Sequence, residues 1–283
     1  MDDSRIFIVG ANGQLGKALK AQYPGAKSAD IDEMDITNAE SVANYDWSAI
    51  DYVLNAAAYT NVDGAETAEG RVAAWNVNAS AVANLAKACQ KNHMTLVHIS
   101  TDYVFDGTQA PHTEEEKFSP LGVYAQSKAA GDIVVSTVDQ YYILRTSWVI
   151  GDGPNFVRTM LGVGQKGINP TVVADQIGRL TFTSELVRAI DHLLTNKSEY
   201  GTYNLSNDGD PASWADITRE IFKLAGYDLK VTDTTTEEYF ASKPNVAPRP
   251  LKSELALDKI KANGFTPKEW REDLAEYIRK ELG

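Results

Sequence analysis

The chain has 283 residues, with 43% hydrophobic and 23% charged residues and a net charge of −12 from 27 Lys+Arg against 39 Asp+Glu. This is the composition of a globular protein with a substantial core, which excludes disordered, collagenous and membrane-embedded chains. The acidic excess repels polyanions and argues against nucleic acid as a partner. The single cysteine, Cys89, has no disulfide partner in the chain and suits a reducing, cytoplasmic setting. No apolar run approaches the ~18 residues needed to span a bilayer, and Met1-Asp-Asp-Ser-Arg5 lacks the basic head and apolar stretch of a secretory signal. His93, His98, His112 and His192 show no metal-ligand spacing, so no metal centre is expected.

In chain order, Arg5-Ile-Phe-Ile-Val9 predicts a strand. It runs into glycines and then into Gln14–Lys20, whose apolar spacing is helical. Further buried strands are predicted at residues 51–55, 95–99 and 141–145, separated by helical stretches at Arg71–His93 and Tyr124–Ser136. Apolar strands alternating with helices imply parallel βαβ units, hence an α/β doubly wound sheet. Near residue 150 glycine and proline crowd the chain, which places a domain boundary there. Residues 1–150 are expected to form a dinucleotide-binding Rossmann domain, completed by 171–197. Residues 151–170 and 198–283 are expected to form a smaller, mainly helical substrate region. Beyond the boundary near residue 150, helices are predicted at Phe156–Gln165, Ser184–Leu194, Ser213–Ala225 and Pro267–Leu282.

Gly10-Ala-Asn-Gly13-Gln-Leu-Gly16 lies between the first strand and the first helix. Glycines there permit a sharp turn and let backbone N–H groups approach a pyrophosphate at the positive helix end. The spacing is G-x-x-G-x-x-G rather than G-x-G-x-x-G. Asp30, 20 residues after Gly10, lies where a carboxylate bonds the adenosine ribose and disfavours a 2′-phosphate, with Asp32 and Asp35 as competitors. Asn55-Ala56-Ala57-Ala58 ends a strand with small residues, as expected where a flat ring crosses the sheet edge.

Tyr124 and Lys128, four residues apart at a helix start, stack on one face about 6 Å apart, so the ammonium can bring the phenol toward its working range. Upstream, the strand at 95–99 leads into Ser100-Thr-Asp-Tyr-Val-Phe105. That places hydroxyls at the carboxyl end of a parallel strand, where open α/β sheets bind ligands.

These motifs, with Asn55-Ala-Ala-Ala-Tyr-Thr60, Arg145-Thr-Ser-Trp148, Asn155-Phe156, Asp175-Gln176 and Arg249-Pro250, resemble the extended short-chain dehydrogenase/reductases, and among them the dTDP-4-dehydrorhamnose reductase family. The resemblance covers essentially the whole chain and implies NADPH- or NADH-dependent reduction of the C4 keto group of dTDP-4-dehydro-L-rhamnose. It implies Tyr124 as proton donor, Lys128 on the nicotinamide ribose and Thr101 on the substrate oxygen. The implied cofactor contacts are Gly10, Asn12, Gly13, Gln14, Leu15, Gly16, Asp30, Asp35, Ile36, Ala56, Ala57, Ala58, Tyr59 and Thr60, together with Tyr124 and Lys128. Asp102, Trp148 and Asn155 are implied to touch the sugar and Arg249 the diphosphate, with Thr101 shared. Some relatives pair through magnesium-linked acidic surfaces, so the chain is expected to be a monomer or a homodimer.

Two positions depart from the family pattern: Leu180 stands where proline is usual, and Asp132 where glutamate is common. Two other readings of the same scaffold are a nucleotide-sugar epimerase or dehydratase and a non-catalytic nucleotide-binding subunit. Asp102-Tyr103, where a dehydratase carries Asp-Glu, argues against elimination chemistry, and the retained triad argues against a non-catalytic role.

Overall fold

The computed structural model describes residues 1–283. Six parallel strands form the central sheet: β1 (Ile6–Val9), β2 (Lys27–Ala29), β3 (Tyr52–Asn55), β4 (Thr95–Thr101), β5 (Tyr141–Thr146) and β6 (Gly201–Asn204), in the order 6-5-4-3-1-2. β1 and the central strands are buried along almost their whole length, as strands covered on both faces must be.

On one face α1 (Gln14–Gln22) packs against α7 (Thr183–Thr195), burying Leu15, Leu19, Leu186, Ile190 and Leu193 over Ile8 and Leu54. The other face carries α2 (Ala39–Asn44), α4 (Ala81–Asn92) and α5 (Val123–Val135), with Val82, Leu85 and Val135 over Phe7, Val53 and Leu96.

The helix expected over Arg71–His93 forms as α3 (Ala68–Trp75) and α4, joined by one π turn at Asn76–Ser80. The π turn aims Asn78 inward, where its Oδ1 accepts from the Tyr59 N–H and its Nδ2 donates to Tyr59 O and Ser127 Oγ. Gly131 allows α5 to lie against this turn: a Cβ there would stand 2.4 Å from Asn78 O.

The second region holds α6 (Phe156–Gln165), α8 (Trp214–Ala225) and α9 (Trp270–Leu282) around Val157, Leu161, Ile221, Phe222, Trp270 and Leu274. It is stitched by two-residue and three-residue ribbons, pairing Thr171–Val173 with Thr232–Thr234 and Ile177–Gly178 with Ala212–Ser213. The division therefore differs from the expected one at two places. Residues 171–178 pair inside the second region, and 201–204 return to the main sheet beside β5, because α7 is the crossover that carries the chain back to a sixth parallel strand.

Candidate active site

The strand order reverses between β1 and β3, so the carboxyl ends of these strands diverge and leave a crevice. Gly10 closes the turn after β1 at φ +76, and a Cβ on it would meet Ala57 N at 2.6 Å. A Cβ on Gly16 would lie 2.1 Å from Gly10 O, so the third glycine holds helix and turn in contact. Gly13 is the N-cap of α1 and offers no side chain, which leaves the first-turn N–H groups directed outward. This cradle fits the pyrophosphate of a dinucleotide.

Two cavities meet at the cradle and share Gly13, Ala56, Ala57 and Ala58 as walls. The smaller, about 350 Å³, is lined by Gly10, Asp30, Ile31, Met34, Asp35, Ile36 and Tyr59, among others, with no lysine or arginine. Asp30 is fixed there by two backbone donors: Asn12 N–H to Oδ2 at 2.8 Å and Ile31 N–H to Oδ1 at 2.9 Å. Asp35 is partly committed, accepting from Thr37 N–H and Oγ1 with Oδ1. The size and lining suit an adenosine.

The larger cavity, about 450 Å³, opens over the ends of β3, β4 and β5. Gln14, Leu15, Thr60, Thr101, Asp102, Tyr124, Lys128 and Trp148 all line it. It also brings in residues that sequence reasoning missed: Val62, Ile99, Ser100, Tyr103, Thr146, Ser147, Val149 and Leu186. Ser100, Tyr103, Thr146 and Ser147 sit inside motifs already singled out, so strand-end position was the available signal. Val62 and Leu186 carried none.

Thr101 ends β4 and caps the next turn, its Oγ1 accepting from Tyr103 N–H at 3.1 Å and donating to Asp102 Oδ1 at 3.0 Å. Asp102 is 2% exposed, and its Oδ2 is buried with no partner. Burial pushes this carboxyl up to about 6, against the hydrogen bonding from Ser253 and Thr101. Tyr124 stands in the first turn of α5, whose N-terminal Val123 N–H donates to Glu66 Oε1 at 2.8 Å. Burial and the Asp102 charge hold the phenol protonated, with its pKa above the ordinary value, while the Thr101 hydrogen bond opposes the rise. A phenol that keeps its proton at neutral pH is what a proton donor requires.

Lys128, one turn further, is 2% exposed and donates to Ile99 O at 2.6 Å. Burial lowers its pKa to about 8, against the Asp132 charge that raises it. Asp132 is in turn held by Arg145 Nε at 3.0 Å, a buried pair from α5 to β5.

Trp148 adopts φ +48, an uncommon conformation for a bulky side chain, and stacks on Trp214 at 3.8 Å between ring centroids. Two expected contacts lie elsewhere. Asn155 is the N-cap of α6: Oδ1 accepts from Arg158 N–H, and Nδ2 donates to Gly151 O, Gly153 O and Tyr277 Oη, so its polar atoms are spent within the second region. Arg249 pairs with Asp63 Oδ2 at 2.8 Å and does not line the cavity, although its charge reaches Tyr103 at the rim. Of the glycine turn, Asn12 contributes its backbone to Asp30, and Gly16 shapes the turn without lining either cavity.

Comparison with known proteins agrees with this geometry. The family model described as the RmlD substrate binding domain matches residues 4–282. A dTDP-4-dehydrorhamnose reductase of Aggregatibacter actinomycetemcomitans is 36% identical, across 96% of this chain and 97% of the relative. The solved dTDP-4-dehydrorhamnose reductase of Clostridium acetobutylicum superposes with TM-score 0.92 at 38% identity, covering 98% of this chain and 99% of that one. That of Bacillus anthracis, solved in complex with NADP, gives 0.89 at 36% identity over the same shares. A glycine cradle, a hydroxyl-rich strand end and a Tyr/Lys helix face thus occur on a chain that matches these proteins from end to end, and the chain belongs to the dTDP-4-dehydrorhamnose reductase family.

Proposed function

We propose that the chain reduces the C4 keto group of dTDP-4-dehydro-L-rhamnose to give dTDP-L-rhamnose, with Tyr124 as the proton donor. The observation that carries this reading is the meeting of Thr101, Tyr124 and Lys128 on one wall of a cavity that shares its floor, Gly13 and Ala56–Ala58, with an adenosine-sized pocket. NADH or NADPH, held by the Gly10–Gly16 turn, Asp30 and Ala56–Ala58, would supply a hydride to the carbonyl carbon. As that carbon is attacked, charge grows on the oxygen, where Tyr124 passes its proton across and the Thr101 hydroxyl, turning from Asp102 Oδ1, donates a hydrogen bond. Lys128, fixed by Ile99 O, presents its nitrogen one helical turn from the phenol and stabilises the phenolate left behind.

Asp102, which lines the cavity, accepts from a sugar hydroxyl, and the Trp148–Trp214 stack offers an apolar face to the pyranose. Arg249 exchanges Asp63 for the substrate diphosphate at the rim. The reading places the enzyme in the cytoplasm, a setting that suits the buried, unpaired Cys89. No helix is long and apolar enough to cross a membrane.

The test supplies dTDP-4-dehydro-L-rhamnose with NADH or NADPH and follows loss of the reduced-nicotinamide absorbance. Tyr124→Phe is expected to keep cofactor affinity and to lower turnover by roughly 10²-fold or more. Turnover near that of the unaltered chain would remove Tyr124 from the role of acid.

A further inference from the structure

Behind Lys128 lies a buried residue that the reaction as described does not use. His98, in the middle of β4, is fully buried, with Asn55 at 1% exposure on one side and Lys128 at 2% on the other. The side-chain amide of Asn55 is oriented by the backbone, because its Oδ1 accepts from Ala57 N–H at 3.1 Å. A reversed amide would set two donors against each other there. Asn55 Nδ2 is therefore the atom 3.1 Å from His98 Nδ1, and since an amide nitrogen only donates, Nδ1 must accept. Burial and the Lys128 charge hold His98 neutral. A neutral ring that accepts at Nδ1 carries its proton on Nε2, and Nε2 stands 3.4 Å from Lys128 Nζ.

An N–H directed at an ammonium is repelled, whereas the same N–H directed at a neutral amine makes a hydrogen bond. We propose that His98 is a positioning residue of the reduction: locked by Asn55 with its proton on Nε2, it donates to the neutral amine of Lys128 and stabilises the state Lys128 occupies after giving a proton to the Tyr124 phenolate. This rests on the roles proposed above for Tyr124 and Lys128. The proton balance is simple. Tyr124 O–H breaks as the substrate oxygen gains its proton, the phenolate takes one from the Lys128 ammonium, the amine is held by Ile99 O and His98 Nε2–H, and solvent restores the ammonium.

The groups facing Lys128 are few. β4 presents Ile99 O and His98, its own helix presents Tyr124 and Asp132 one turn to either side, and β5 presents Arg145, which is paired to Asp132. Asp132 favours the ammonium and burial opposes it, bringing the Lys128 pKa to about 8, while His98 Nε2 is the ring nitrogen placed against the charged form at 3.4 Å. Gly131 keeps α5 close to the sheet at this point, since a Cβ there would stand 2.4 Å from Asn78 O.

Two measurements test the proposal. With 15N-histidine in the enzyme bound to NADH, His98 is expected to show a protonated Nε2 and an unprotonated Nδ1 from about pH 6 to about pH 9. The opposite tautomer, or an imidazolium, would overturn it. In kcat/KM against pH, reduction declines on the alkaline side as Lys128 loses its proton. His98→Phe, which deletes the donor, and Asn55→Asp, which turns the ring proton toward position 55, are each expected to move that limb upward by about one pH unit. A limb that stays in place in both variants would reduce His98 to core packing. The failures are distinguishable: active Tyr124→Phe sinks the functional reading whatever tautomer His98 shows, and a wrong tautomer beside inactive Tyr124→Phe sinks this inference alone.

Discussion

The two walls of the larger cavity are built in opposite ways. The cofactor wall uses main chain: Gly13 offers bare helix N–H groups and Ala56–Ala58 present almost no side chain, with Gly10 and Gly16 forced into contact behind them. The substrate wall uses side chains fixed by distant segments, such as Trp148 stacked on Trp214. Main-chain geometry is set by local sequence and transfers between ligands that share a phosphate. Side-chain geometry is set by tertiary contacts and serves one sugar. Substitutions on the first wall should therefore remove binding altogether, and those on the second should change rate or stability by degrees.

The largest effect is expected from Gly16→Ala. The added Cβ would stand 2.1 Å from Gly10 O and 2.8 Å from the Ala11 backbone, neither of which has a side chain that can rotate aside. The turn must open, at an overpacking cost of about 1–3 kcal/mol or more, and the N–H groups lose their common focus. Titration with NADH should show affinity reduced by roughly 100-fold or more, about 2.7 kcal/mol. Unchanged affinity would mean that the dinucleotide does not rest on this turn.

The same division explains what could be read in the sequence. The strand at 6–9, the glycine turn, the Tyr124/Lys128 spacing and the hydroxyls after β4 are local signals, since each depends on residues within one or two helical turns. The edge strand at 201–204 is only four residues long and gains its meaning from β5, and the ribbon partners 171–173 and 232–234 are far apart in sequence, so no periodicity marks them. Asn78 lay unmarked within the helical stretch expected at Arg71–His93, because its value comes from a π turn that helical spacing does not announce. His98, like the other histidines, read as a surface or strand-end residue, yet it is fully buried in the middle of β4. Its importance lies in what faces it from β3 and α5, and strand pairing had to be known first.

Asp102→Asn sharpens the comparison on the substrate wall. The folded carboxyl titrates near 6, and an ordinary value of 3.8 applies to the unfolded chain. Between those values the folded form binds more protons, so stability falls as pH rises through that window and stays lower above it. The shift amounts to roughly 3 kcal/mol at neutral pH. The amide keeps an acceptor for Thr101, has the same shape and carries no charge. Denaturant melts at pH 7 should therefore show the variant more stable by up to about 3 kcal/mol, with the gain vanishing near pH 4, while turnover falls. A variant less stable at pH 7 would show that the carboxylate is compensated within the fold.

The smallest effect is expected from Asn155→Ala, and it tests the boundary between wall and frame. Asn155 was expected on the sugar, yet its Oδ1 caps α6 and its Nδ2 is shared among Gly151 O, Gly153 O and Tyr277 Oη. A side chain with every polar atom spent on its own region tightens the frame behind the wall. Loss of an N-cap of this kind costs about 1 kcal/mol, and the Tyr277 contact ties the start of α6 to α9, so the loss should appear in thermal melts. With substrate saturating, turnover should stay within about twofold, and the KM for the sugar nucleotide should change no more than the loosened frame allows. A KM raised roughly tenfold with unaltered thermal stability would return Asn155 to the substrate, because a capping role cannot separate the two.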